Sequence, residues 1–365
     1  MRKKWLSLFL ALCLVLTAVG CGSNGQEGEM LSSAAGPLQQ TQISNSPGAQ
    51  EEQEPDNTKI NPLTGCSIAA EEENLRPVAV MLNDLKAAMP QLGVSKADII
   101  YEVPAEGGIT RMLAVFQSLK NVGELGSIRS TRPYYMELAL GHDAILVHAG
   151  GSPDAYNNLS RWRIDNLDGV NGGSDADAFW RDSDRKKNAG YEHSMLTSGE
   201  NIEAYLAGSS IRRDHQEDFR YPIRFSQDGM DISGSPAEHV SVRFSSYKTG
   251  LFDYDSKKGG YLVSQYGEPY VDGNTGEQVE VSNVLILRTR VSLVSGDTAG
   301  RLYVDLDGEG NGIYICGGQA VDIQWSKADR STPLTYALAD GTPLTLKEGS
   351  SYVCIVSNDS DVTIE

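Results

Sequence analysis

The sequence predicts an α+β protein in two parts: an N-terminal layered domain of sheet and helices, then a smaller, mostly β C-terminal domain. Three observations carry this. Strand-like and helix-like runs alternate from Asn61 to about Phe225. From about Ala237 the helical period stops and short β runs follow, punctuated by Gly, Asp and Asn. The length of 365 residues suits two domains.

The first twenty residues read as a lipoprotein signal peptide. Arg2, Lys3 and Lys4 precede the apolar run Trp5 to Val19, which is short for a membrane span. The run ends in Ala18-Val19-Gly20-Cys21, small residues before a cysteine, as in a bacterial lipobox. The expected chain therefore begins at an acylated Cys21, palmitate being one acyl group, and sits on the outer face of the cytoplasmic membrane. Acyl chains contribute about 0.8 kcal/mol per buried CH₂, so two or three anchor stably.

Residues 21–60 are rich in Ser, Gln, Gly, Glu and Pro. Such a composition buries too little apolar surface to offset ordering entropy, and is expected to form a flexible tether.

The N-terminal domain is expected over 61–225. Pro77 to Met81 reads as a buried strand. Ile99 to Val103 and Ile109 to Phe116 read as a hairpin around Gly107-Gly108. Pro133 and Gly141 bracket a helix, and Ala144 to Val147 is a strand. Ser152-Pro153 opens a second helix. Thr197 and Glu200 have capping-box spacing ahead of a third. The C-terminal domain is expected over 237–365, with β runs at 239–244, 261–264, 284–290, 301–305, 312–315, 320–325 and 352–356.

Composition narrows function. Lys+Arg 31 against Asp+Glu 49 gives a net charge of −18, which argues against a nucleic-acid partner. Loss of the first twenty residues removes three bases and no acid, taking the charge to −21. Cys316 and Cys354 lie in β runs, either bridged if those strands are neighbours or buried as thiols; Cys66 is then odd.

Candidate chemistry gathers in three stretches. Ile128-Arg129-Ser130-Thr131-Arg132-Pro133 places two arginines and two hydroxyls before a helix start, a combination suited to a carboxylate or phosphate. The same arginines could instead neutralise Glu102 or Glu106. Those acids flank a hairpin with Arg111, and Glu102 falls on a buried-looking strand, where a carboxylate needs a partner. His148 stands at a strand end before a helix start, and His193 precedes the third helix and could face the same crevice. No metal-ligand spacing or cofactor motif is present, so no metal or cofactor is expected. Ser245-Ser246-Tyr247-Lys248 and Lys248-Thr249-Gly250 fit S-x-x-K and K-T-G, but they share one lysine and read as chance.

Several stretches in order resemble the YerB-like lipoproteins. They are Asn61-Pro62-Leu63-Thr64-Gly65, Arg76-Pro77-Val78-Ala79-Val80-Met81, Ala97-Asp98-Ile99-Ile100-Tyr101-Glu102, Glu106-Gly107-Gly108-Ile109-Thr110-Arg111, Ile128 to Tyr134, and His148-Ala149-Gly150-Gly151-Ser152. The resemblance spans about 61–365. It implies a lipid-anchored protein of Gram-positive-type bacteria with N- and C-terminal family portions, and carries no catalytic residues over. Two functions follow as expectations. The first is an extracytoplasmic binding or accessory protein whose crevice takes an anionic group from an envelope polymer or a protein partner. The second is an envelope hydrolase or transferase using a Glu/His pair.

Overall fold

The computed structural model describes residues Thr58–Glu365. Cys21, the signal peptide and most of the expected tether lie outside the described residues. Thr58–Ile60 already form a short strand paired with Ser67–Ala69, ahead of the expected start at 61.

The strands that position the site are β1 (Val78–Asn83), β2 (Ile99–Pro104), β3 (Thr110–Phe116), β4 (Ile145–His148) and β5 (Asn166–Asp168). The helices are α1 (Pro133–Gly141), α2 (Pro153–Arg161) and α3 (Gly199–Gly208). Ser152 caps α2 by accepting from the Ala155 N–H. At α3 the cap is Ser198, which accepts from the Asn201 N–H; the capping-box spacing placed it one residue early, at Thr197.

Further along come β6 (His239–Arg243), β7 (Thr249–Asp255), β8 (Gly260–Gln265), β9 (Asn283–Thr289), β10 (Gly308–Cys316), β11 (Gln319–Lys327), β12 (Ser351–Ser357) and β13 (Val362–Ile364). Eleven strands form one mixed sheet, whose central path runs β11-β10-β9-β12-β2-β3-β1-β4-β5. Strand β12 runs parallel to β2, with Cys354 opposite Glu102, so the N- and C-terminal parts of the chain contribute to one sheet. A second sheet of six strands contains β8-β7-β6-β13.

The period of two along each strand sorts the core. Ala79, Met81, Tyr101, Leu113 and Val115 face one side, where Tyr135 and Leu138 of α1 and Leu159 of α2 cover them. Val80, Leu82, Ile100, Met112 and Tyr352 face the other. There they meet Ile202 of α3 and Phe252 and Val263 of the second sheet. The result is three layers, mostly strands with few helices. Cys316 and Cys354 are buried thiols on β10 and β12, which flank β9 on opposite sides and cannot bridge.

Candidate anion-binding crevice

Strands β1, β2, β4 and β5 run in one direction, so Asn83, Pro104, His148 and Asp168 stand along one edge of the sheet. Crevices at such strand ends are common ligand sites. The stretch Ile128–Thr131 is extended and threads between the ends of β1 and β4. Arg129 N–H donates to Met81 O at 2.9 Å, Ala149 N–H donates to Arg129 O at 3.0 Å, and Thr131 N–H donates to Gly150 O at 3.0 Å.

A cavity of about 280 Å³ opens there, lined by Arg129, Ser130, Gly150, Tyr156, Arg181 and Tyr191 among others. Gly150 holds φ +83°, and a Cβ on it would lie 3.2 Å from Ser130 Oγ. Asp168 organises the floor. It accepts from Gly150 N–H at 2.9 Å, Val170 N–H at 2.9 Å and Tyr156 OH at 2.7 Å. Burial raises the Asp168 pKa, but His148 and these donors outweigh it, and the carboxyl lies below its ordinary value.

Two arginines form the wall. The Arg129 guanidinium pairs with Glu192 at 2.5 Å, and its Nε is buried with no partner. Glu192 is 58% exposed, and the hydrogen bond from Arg129 holds its carboxyl below the ordinary range. Arg181 donates to Tyr191 O at 2.7 Å and stacks 3.5 Å over the exposed Tyr191 ring. Ser130 Oγ donates to Ala149 O at 3.0 Å, and Thr131 is buried beside it.

The remaining candidates separate into other arrangements. Arg132 turns away from the crevice to pair with Glu106, and its Nη1 donates to Thr131 O at 2.6 Å. Residues three apart in an extended run face opposite sides, which explains why Arg129 and Arg132 do not converge. Arg111 also pairs with Glu106, at 2.8 Å, and donates to Ser130 O at 3.2 Å. Burial pushes the Glu106 carboxyl up, but Arg111 and Arg132 outweigh it and hold it at about 2.

His148 is fully buried. Its Nδ1 lies 2.8 Å from Gly150 O and its Nε2 lies 3.1 Å from Asn166 Oδ1, so both nitrogens are occupied by carbonyl oxygens. Neither is left to serve as a base, and neither Glu102 nor Glu106 is its partner. His193 is buried at the crevice edge, where its Nδ1 accepts from Asn83 Nδ2 at 2.8 Å and its Nε2 lies 3.6 Å from Glu192. Burial depresses its pKa, with Glu192 pulling the other way.

Glu102 belongs to a closed cluster between the two sheets. Lys248 Nζ, on the turn between β6 and β7, lies 2.6 Å from Asp84 Oδ2 and 3.4 Å from Glu102 Oε1, all three side chains having no exposure. Thr110 Oγ1 lies 2.6 Å from Asp84 and 2.7 Å from Glu102. Tyr352 OH and Gln265 donate to the other Glu102 oxygen. Burial pushes Asp84 up against the pull of Lys248. Burial also works against the Lys248 ammonium, but Asp84 and Glu102 prevail and raise its pKa.

Sequence reasoning did not find Asp84, Asp168, Arg181 or Glu192, and it met Lys248 only in motif matches that read as chance. The signal for Lys248 was the unpaired Glu102 on an apolar strand; sequence distance hid the partner. Wider clefts lie elsewhere, among them two of about 860 and 580 Å³. In the second, Arg76 pairs with Asp165 at 2.6 Å and Arg212 with Asp143 at 2.6 Å, leaving those cations satisfied.

These features define a layered α+β chain in two family portions, with a basic crevice at the strand ends. The model for the N-terminal domain of a protein of unknown function (DUF3048) matches residues 63–212, and that for its C-terminal domain matches 240–353. The chain belongs to this family. It is 32% identical over 301 residues to "Putative lipoprotein YerB" of Bacillus subtilis, spanning 81% of this chain and 85% of that protein. The crystal structure of YerB from Bacillus subtilis is similar at a TM-score of 0.72 and 28% identity, over 84% of this chain and 99% of that one.

Proposed function

We propose that this chain is an extracytoplasmic binding protein of the cell envelope, anchored through acylated Cys21, and that its crevice takes an anionic group. The observation that carries this is Arg129. Its guanidinium is held by one exposed carboxylate, Glu192, and its buried Nε has no protein partner. A carboxylate or phosphate entering the cavity displaces Glu192, meets Arg129 and Arg181 together, and exchanges one anion for another without stranding a charge. Ser130 and Gly150 shape the floor, while Arg111, Arg132 and Glu106 hold the neighbouring loop. The occupants that fit are an anionic envelope polymer or an acidic loop of a protein partner. The absence of a Glu102–His148 or Glu106–His148 contact weighs against the hydrolase reading.

Calorimetric titration with inorganic phosphate and with a poly(glycerol phosphate) chain tests the proposal. Binding that weakens at least about tenfold in Arg129→Gln, as loss of one charge-assisted contact requires, is the expected result. No heat with either probe, or equal binding by the variant, overturns it.

A further inference from the structure

We propose that Lys248 and Asp84 form an autocatalytic amide crosslink, with Glu102 as the proton carrier, joining the two family portions covalently. The proposal stands apart from the crevice and rests on the closed cluster between the sheets.

Four observations support it. Lys248 Nζ and Asp84 Oδ2 touch at 2.6 Å with neither side chain exposed, which places the amine one C–O bond beyond contact with the carboxyl carbon, close to a near-attack arrangement. Asp84 Oδ1 is buried with no partner, so the ion pair is incompletely satisfied. A second carboxylate, Glu102, lies 3.4 Å from Nζ, and Thr110 links it to Asp84. Aromatic residues enclose the cluster: the Tyr266 ring lies 4.4 Å from Nζ, and Phe252 packs on Tyr352 at 5.0 Å. An unsatisfied ion pair costs free energy in such surroundings, whereas a neutral amide does not. Exclusion of water also protects the product from hydrolysis.

The step balances without an added reagent. Lys248 Nζ passes one proton to the Asp84 carboxylate, leaving a neutral amine against a neutral acid. The amine lone pair attacks Asp84 Cγ and the Nζ–Cγ bond forms. Glu102 takes a second proton from Nζ and delivers it to the Asp84 hydroxyl. The Cγ–O bond breaks and one water leaves. Glu102 returns to its starting state, and nothing is oxidised or reduced.

Peptide mass mapping of the full chain, denatured after purification, tests this. The expected product is a branched tryptic peptide containing Asp84 and Lys248, lighter by one water than its two linear parts. Cleavage after Lys248 is then lost. In Glu102→Gln the branch should appear about a hundredfold more slowly, the usual scale for removing an acid–base group. Complete recovery of the linear peptide ending at Lys248 from wild-type protein overturns the proposal, as does a one-water deficit that maps to another site. The wild-type measurement decides the matter even if Glu102→Gln fails to fold.

Discussion

Arg129 and Arg132 sit in one extended run and serve opposite sides of it: Arg129 holds exposed Glu192 at the crevice, and Arg132 holds Glu106 beneath the hairpin. The same residue type, three positions apart, thus has two energetic roles. A pair with an exposed partner contributes little to stability, whereas removing one member of an enclosed pair strands a charge.

Arg132→Gln is therefore expected to destabilise the protein by about 1–3 kcal/mol, because Glu106 keeps only Arg111. Arg129→Gln is expected to cost less than about 1 kcal/mol. Urea unfolding of both variants measures the difference. Equal losses would contradict the division of roles.

Glu106 also sets an acid limit. Its folded pKa of about 2 lies below the ordinary 4.5, so the folded state binds the proton less readily than the unfolded state. The stabilisation is fully present above pH 4.5 and is lost as pH falls through about 2. Partial exposure screens it to about 2 kcal/mol. The stability difference between wild type and Glu106→Gln, followed by urea unfolding, should be flat above pH 4.5 and shrink below it. A difference that grows in acid would reverse the sign.

Gly150→Ala tests the crevice floor. At φ +83° an alanine is strained, and its Cβ meets Ser130 Oγ. We expect a loss of about 1–2 kcal/mol with weaker phosphate binding. Thermal melting with and without phosphate reads both effects. A variant as stable as wild type with unchanged phosphate response would place the ligand elsewhere.

Cys21→Ser tests the anchor. The variant should leave the membrane fraction as a released chain, or remain there as an uncleaved precursor. Recovery of a mature-length species with membranes would show that another feature anchors the protein.

The fold was largely legible because its strands are apolar runs cut by Gly, Asp and Asn, and because Pro133 and Ser152-Pro153 mark two helix starts. Strand β7 was missed: Thr249 to Asp255 alternates buried and half-buried residues in its first half, carries Gly250, and interrupts its apolar residues with Asp253. The candidate site was legible only in part. Arg129, Ser130 and His148 lie in compact motifs, whereas Arg181 sits on a two-residue strand and Glu192 on a single 3₁₀ turn, elements too short to leave a periodic signal. The need of Glu102 for a cation could be stated from its strand alone. That Lys248 supplies it depends on how two sheets stack, which no local pattern encodes.

The place of β12 has a consequence for the order of synthesis. Residues 351–357 lie in the middle of the large sheet, between β9 and β2, although they are made long after β2. Until they arrive, β2 has a bare edge of N–H and C=O groups, and the earlier portion cannot complete its hydrogen bonding. The closing contact spans more than two hundred residues, so it is slow to find. A chain that threads a membrane channel from its N-terminus would thus stay open until residues 351–357 have crossed. Truncation before Ser351 should yield an aggregating fragment rather than a shorter folded protein.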